Sequence, residues 1–247
     1  MPKKRCLAII PAFNEEKNIA AVIRKVKSGN SVDDILVVDD CSNDRTAAVA
    51  VQAGARVVTL LSNLGYGAAV ETGYKYANEH GYDTVVQLDG DGQHEPGCIS
   101  DLLQALHAVP ADVVIGSRFL GKSSHYRPPL ARRIGMRFFR LLIRMFIHKT
   151  ITDPTSGFQA LNRNVIQFLV KNNLYPSDYP DADIIILLNN VGFRITEIPV
   201  VMYESTTGKS IHSGFKPLFY MVKMLLSIFS VLFGKYRTFL RRTDSCR

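Results

Sequence analysis

Apolar and polar positions alternate in blocks along the first half of the chain. CLAIIPAF, DILVVDD, ARVVTLL, DTVVQLDGD and ADVVIGSRF are short apolar runs rich in Val and Ile, the pattern of strands buried on both faces. Between them stand EEKNIAAVIRKVKS, DRTAAVAVQAG, GAAVETGYKYANEHG and EPGCISDLLQALHAV, which predict helices. Strand–helix alternation predicts an α/β fold, with a mostly parallel sheet carrying helices on both faces. Ligands of such sheets bind beyond the carboxyl ends of the strands. Asn14 and Glu15 stand there after the first run, Asp39 and Asp40 after the second, and Asp89 and Asp91 after the fourth.

The second half has a different texture. Residues 130–148, LARRIGMRFFRLLIRMFIH, predict a basic amphipathic helix. Arg133, Arg137, Arg140, Arg144 and His148 form one stripe, and Ile134, Phe138, Leu141, Leu142 and Met145 another. A basic stripe without an acid suits anionic lipid head groups. Residues 215–234, FKPLFYMVKMLLSIFSVLFG, approach the roughly twenty apolar residues that a bilayer span requires. Lys216, Tyr220, Lys223, Ser227 and Ser230 nevertheless make a narrow polar stripe, which favours a helix lying in the membrane interface or packed on a partner. The pattern therefore predicts one catalytic-sized domain over residues 1–212, and an interface helix with a basic tail over 213–247.

Composition narrows the setting. With 247 residues and 47% apolar content the chain can bury a large core. Cys6, Cys41, Cys98 and Cys246 are far apart, which argues against a zinc site or a disulfide framework and fits a reducing compartment. The apolar run in MPKKRCLAIIPAF is too short for a signal peptide. These features together predict a peripheral protein on the cytoplasmic side of the cell membrane. The formal charge of +8 is unevenly spread: residues 118–149 hold nine Lys or Arg and no acid. Such a distribution implies an anionic surface. Aromatic stacking motifs are missing, which argues for a membrane rather than nucleic acid.

The sharpest chemistry lies in VVQLDGDGQHEP, where Asp89 and Asp91 flank Gly90 at a strand end. Carboxylates sharing one small volume repel, and one would be driven neutral. A divalent cation such as Mg²⁺ or Mn²⁺ removes the conflict, bridging one or two carboxylates to a substrate diphosphate. Gln93 could add a carbonyl oxygen or hold a water. Asp39 or Asp40 could accept hydrogen bonds from a ribose or a nucleobase, whereas Asn14 and its acidic neighbours also suit a helix N-terminus. Neither GxGxxG nor GxxxxGK[ST] is present, which argues against NAD and P-loop chemistry.

PAFNE, VVDDCSNDRT, NLGYGAAVETGY, LDGDGQHEP, GSRF and DPTSGFQALNR, in this order, resemble glycosyltransferase family 2. The resemblance points to the dolichyl-phosphate mannosyltransferase-like branch, which moves a sugar from a nucleotide onto a polyprenyl phosphate. It implies a GT-A fold, inversion at the anomeric carbon, and a metal on Asp89 and Asp91 with Gln93 beside it. It also implies nucleotide contacts from Pro11, Phe13, Glu15, Asp89 and Gly90, with Asp40 at the base or ribose. Arg118 would sit near the acceptor phosphate or the donor, and Arg132 or Arg133 at the acceptor phosphate. Asp91 and Arg118 are then the catalytic groups at the leaving diphosphate. A phosphate acceptor is already ionised and needs orientation more than a base, whereas a sugar hydroxyl needs one; Asp153, Asp181 and Asp183 are the candidates. The family usually has an arginine where this chain has Ser205 in ESTTGKS, and Lys209 could replace it. A saccharide acceptor and a degenerate nucleotide-binding subunit are the alternatives, and a homo-oligomer or membrane-protein partner would fit the interface helix.

Overall fold

The computed structural model describes residues 4–108, 110–121, 140–141, 143–145, 149–172, 175 and 182–203. Its strands are β1 (Cys6–Ala12), β2 (Asp34–Asp39), β3 (Arg56–Thr59), β4 (Thr84–Gln87), β5 (Val113–Ser117), β6 (Gln159–Asn162) and β7 (Ile195–Pro199). The helices are α1 (Ile19–Ser28), α2 (Thr46–Gln52), α3 (Tyr66–Glu79), α4 (Ile99–Ala108), α5 (Arg163–Asn172) and α6 (Ala182–Val191). All seven strands join one sheet in the order β3-β2-β1-β4-β6-β5-β7. Only β6 runs against its neighbours, between β4 and β5.

The period of two along each strand feeds two separate cores. On one face Leu7 and Ile9 of β1, Leu36 and Val38 of β2, and Val113 and Ile115 of β5 pack with side chains of α3, α5 and α6. On the other, Ala8 and Ile10, Ile35 and Val37, and Val114 pack with α1 and α4. Every residue of β1 is buried. Each fully buried Val, Leu or Ile contributes roughly 1.5–3 kcal/mol, so β1 anchors both layers. The predicted runs hold as five strands, with one qualification: β3 is an edge strand whose Arg56 and Thr59 are exposed. The helix expected from Glu15 begins at Ile19, because residues 15–18 make a turn closed by the Asn18 and Ile19 N–H groups on the Glu15 carbonyl.

Sheet order locates the cleft. From β1 the chain moves outward to β2 and β3, then returns to place β4 on the opposite side of β1. The loops after β1 and β4 therefore diverge at a topological switch point, where α/β sheets open a crevice.

The described part of the basic segment corrects one expectation. Arg140, assigned by pattern to the lipid-facing stripe, donates its Nε–H to the Thr152 carbonyl at 2.6 Å and lies 4.7 Å over the Phe119 ring. Ile143 is fully buried, whereas Leu141 and Met145 are each 57% exposed. Arg132, Arg133, Asp181, Ser205, Lys209, most of the predicted helix 130–148 and all of 215–234 lie outside the described residues. Among the described residues no helix is long and apolar enough to cross a membrane.

Gly73 shows how closely α3 lies on the sheet. A Cβ there would meet Ile9 Cγ2 at 2.5 Å, inside the fully buried centre of β1. Gly73→Val is expected to cost about 1–3 kcal/mol through overpacking, read as a lower urea midpoint with unchanged slope.

Candidate active site

The loops after β1 and β2 are clasped together. Asn14, held at φ +57°, donates its N–H to Ser42 Oγ at 2.9 Å and accepts the Asn43 N–H on Oδ1 at 2.9 Å. The Glu15 N–H donates to Thr46 Oγ1 at 2.8 Å, and Glu16 accepts the Arg45 N–H at 3.1 Å. Asp44 in turn accepts from the Thr46 hydroxyl and the Glu16 N–H. Phe13 stands at the rim, 42% exposed, while Pro11 is buried.

Asp40 was expected at the base or ribose. It is instead buried, with its two oxygens accepting the Leu64 N–H at 2.8 Å and the Gly65 N–H at 2.9 Å. Both oxygens hold the turn into α3, so this carboxylate builds the cleft wall. Asp39 is equally buried and accepts the Ser42 N–H at 3.3 Å.

Asp89 and Asp91 follow β4 across the switch point. Burial raises the pKa of both, and the Asp89 charge raises Asp91 further. The Tyr66 hydroxyl and the Arg118 charge pull Asp89 partly back. Glu15 faces the same cluster: burial raises it most, the Asn18 amide offsets part of that, and Asp91, Asp44 and Asp89 raise it further. Asp91 Oδ1 accepts the Gln93 N–H at 2.9 Å. Three carboxyls thus converge with their ionisation disfavoured, and a cation would relieve them all. Among the described residues no group of three or more His, Cys, Asp or Glu is placed to hold a metal ion. The donor set fits a hard divalent ion that takes one or two carboxylates and completes its shell with water and phosphate.

His94 lies beneath this pair. The Asp89 N–H donates to its Nδ1 at 3.1 Å, and its ring stacks on Phe158 with centroids 5.0 Å apart. Burial lowers its pKa from 6.5 to about 4, so the ring is neutral at pH 7 with its proton on Nε2.

Arg118 and Asp153 are brought together as a buried ion pair. Arg118 Nε–H and Nη2–H donate to Asp153 Oδ2 and Oδ1, both at 2.6 Å, and the Arg118 N–H adds a bond of 3.0 Å. Their side chains are 3% and 0% exposed. Glu197 of β7 accepts the N–H groups of Thr152 and Asp153 at 2.7 and 2.9 Å. Asp153 is a candidate base by sequence, but three Arg118 donors and the Thr155 hydroxyl occupy its oxygens, and no solvent reaches it. Asp183, the other described candidate, opens α6 with no exposed surface and accepts the Ile184 N–H at 2.8 Å.

Tyr66, Gln87, His94, Gly157 and Glu197 escaped the sequence reading, although most sit inside the quoted motifs. The one available signal was Tyr66 between two glycines. Its hydroxyl donates to Asp89 Oδ1 at 2.9 Å and accepts from Gln87 Nε2 at 2.8 Å. Breaking a buried ion pair strands the surviving charge, at a cost of about 3–5 kcal/mol. Asp153→Ala is expected to lower stability by that order in chemical denaturation, with a loss larger than that of a change in the exposed Arg163–Asp83 pair.

The chain is 31% identical to the polyprenol monophosphomannose synthase of Mycolicibacterium smegmatis, over 86% of this chain and 83% of that protein. It is 29% identical to the undecaprenyl-phosphate mannosyltransferase of Micrococcus luteus, over 85% and 88%. Against the UDP-N-acetylglucosamine–dolichyl-phosphate N-acetylglucosaminyltransferase of Methanococcus voltae it is 28% identical, over 91% and 97%. Its fold matches glucosyl-3-phosphoglycerate synthase from Mycobacterium tuberculosis, solved with Mn²⁺, UDP-glucose and phosphoglyceric acid. That match has a TM-score of 0.68 at 21% identity and covers 92% of this chain and 79% of the other. The family model for glycosyl transferase family 2 matches residues 7–169, and this chain, a GT-A glycosyltransferase, belongs to that family.

Proposed function

We propose that this chain transfers a sugar, with inversion at the anomeric carbon, from a nucleoside diphosphate sugar to a polyprenyl phosphate at the cytoplasmic face of the membrane. The observation that carries the donor half is the convergence of Asp89, Asp91 and Glu15, all raised in pKa, at the switch point of the sheet. Such a cluster suits Mg²⁺ or Mn²⁺, which takes one or two carboxylates together with substrate phosphates. When bound, the ion stabilises charge on the leaving diphosphate.

The chain's own residues supply the rest. Asp89 and Asp91 would hold the ion, with Gln93 beside them. The clasped loops after β1 and β2 present Pro11, Phe13 and Glu15 as the nucleotide wall, stiffened by Asp40 from behind. Buried Arg118 adds a fixed positive potential near Asp89 and keeps the loop of Asp153 in place. A phosphate acceptor needs no general base, which accords with the inaccessible carboxylates of Asp153 and Asp183. The lipid-phosphate acceptors named for three relatives support the acceptor half, with Arg132, Arg133 and Lys209 as its candidate contacts. The basic residues of segment 118–149 other than Arg118 and Arg140, with the exposed Leu141 and Met145, would bring the chain to an anionic bilayer.

Calorimetry with UDP, GDP, UDP-glucose and GDP-mannose, with Mn²⁺ and with chelator, tests the donor half. One nucleotide is expected to bind only with metal, and Asp91→Asn is expected to abolish that dependence. A polyprenyl phosphate is expected to be glycosylated in the presence of the preferred donor, and a free saccharide is not. No nucleotide binding under any condition would overturn the assignment.

A further inference from the structure

A carboxylate that binds a cation has two oxygens, and the groups around it decide which is offered. At Asp89 that choice is made by a chain of buried hydrogen bonds. The Tyr74 hydroxyl donates to Gln87 Oε1 at 2.7 Å, which turns the amide so that its Nε2–H donates to Tyr66 Oη at 2.8 Å. A phenol has one proton. With its oxygen accepting from Gln87, the Tyr66 proton goes to Asp89 Oδ1, at 2.9 Å. The polarity of all three bonds is therefore fixed from the core outward.

Two neighbours seal this arrangement. A Cβ on Gly157 would lie 2.5 Å from Tyr66 Oη and 2.8 Å from Asp89 Oδ1. Only a glycine lets the DPTSGF loop cover the hydroxyl–carboxylate pair. On the other side His94 takes the Asp89 N–H on Nδ1, leaving its Nε2 atom 3.7 Å from Asp89 Oδ2, beyond hydrogen-bond distance. That Nε2 is buried and has no hydrogen-bond partner among the described residues, an unfavourable state for a polar group. Phe158, stacked at 19° to the ring, keeps it aimed there.

We infer that Tyr66 and His94 are positioning residues for the transfer reaction: Tyr66 occupies Asp89 Oδ1 and His94 steers Oδ2, so that Asp89 presents Oδ2 to the divalent cation and the donor diphosphate. Residues one step behind a metal ligand commonly change metal affinity by about 10–100-fold when removed. Tyr74 and Gln87 act one step further back, as the part of the core that sets the direction of the Tyr66 proton. The inference rests on the proposed metal-dependent donor site.

The test is Mn²⁺ titration of the full chain, followed by the signal of free Mn²⁺ in electron paramagnetic resonance, with and without UDP or GDP. Thermal melting of each variant is recorded in chelator. Tyr66→Phe removes only the hydroxyl. His94→Asn keeps an acceptor for the Asp89 N–H and removes the Nε2–H. Both are expected to weaken Mn²⁺ binding about tenfold or more, whereas Tyr74→Phe lowers the melting temperature with a smaller effect on Mn²⁺. Variants that bind Mn²⁺ like the wild type while losing stability would overturn the inference alone and leave the network as core. A wild-type chain that binds no Mn²⁺ with any nucleotide would overturn both the inference and the donor site beneath it. Should Tyr66→Phe fail to fold, His94→Asn decides the question by itself.

Discussion

Like charges crowded at the carboxyl ends of β1 and β4 are the constraint around which the rest of this structure is arranged. Glu15, Asp89 and Asp91 each lose hydration at the cleft; Asp89 acts on Asp91, and both act on Glu15. Isolated carboxylates in that position would protonate or swing away. They stay because neutral donors hold them from behind: the Tyr66 hydroxyl on Asp89, the Gln93 N–H on Asp91, and the Asn18 amide on Glu15. The arrangement keeps negative charge available for a cation, and among the described residues no Lys or Arg forms a salt bridge with any of the three.

A second, quite different pairing supports the far side of the cleft. Arg118 leaves β5 and turns back onto Asp153, and both are buried. A buried pair of this kind is weak evidence of added stability, since desolvation offsets most of the attraction. Its consequence is geometric. Ser117 meets Thr152 at 2.6 Å, Glu197 collects two backbone N–H groups, and Ser156 donates to the Gly116 carbonyl at 2.6 Å. The 152–157 loop is thereby pinned between β5 and β7, and pinning it puts Gly157 over Asp89. The arginine thus acts on the site through a loop and through its field at Asp89.

Strands β1, β2, β4 and β5 were legible because their burial on two faces leaves no polar position inside the run. β6 was hidden for the opposite reason. QALN is four residues long, with polar ends, and becomes a strand because the gap between β4 and β5 supplies partners on both sides. β7 likewise contains Glu197, whose carboxylate is taken up by backbone groups that no local pattern announces. The basic segment misled at Arg140 because helical spacing assigns faces but does not say which face meets protein.

Local order and local chemistry were enough for the sequence alone to determine the α/β class, the strands that carry functional loops, the acidic pair Asp89 and Asp91, and the family. Each of these depends on residues close together in the chain. Tertiary structure alone decided which carboxylates are open and which are spent. Asp40 is engaged by a turn 24 and 25 residues away, Asp153 by an arginine 35 residues away, and Asp89 by a tyrosine 23 residues away. A carboxyl group's role follows from its hydrogen-bond partners and its hydration, and both are properties of packing across the sheet.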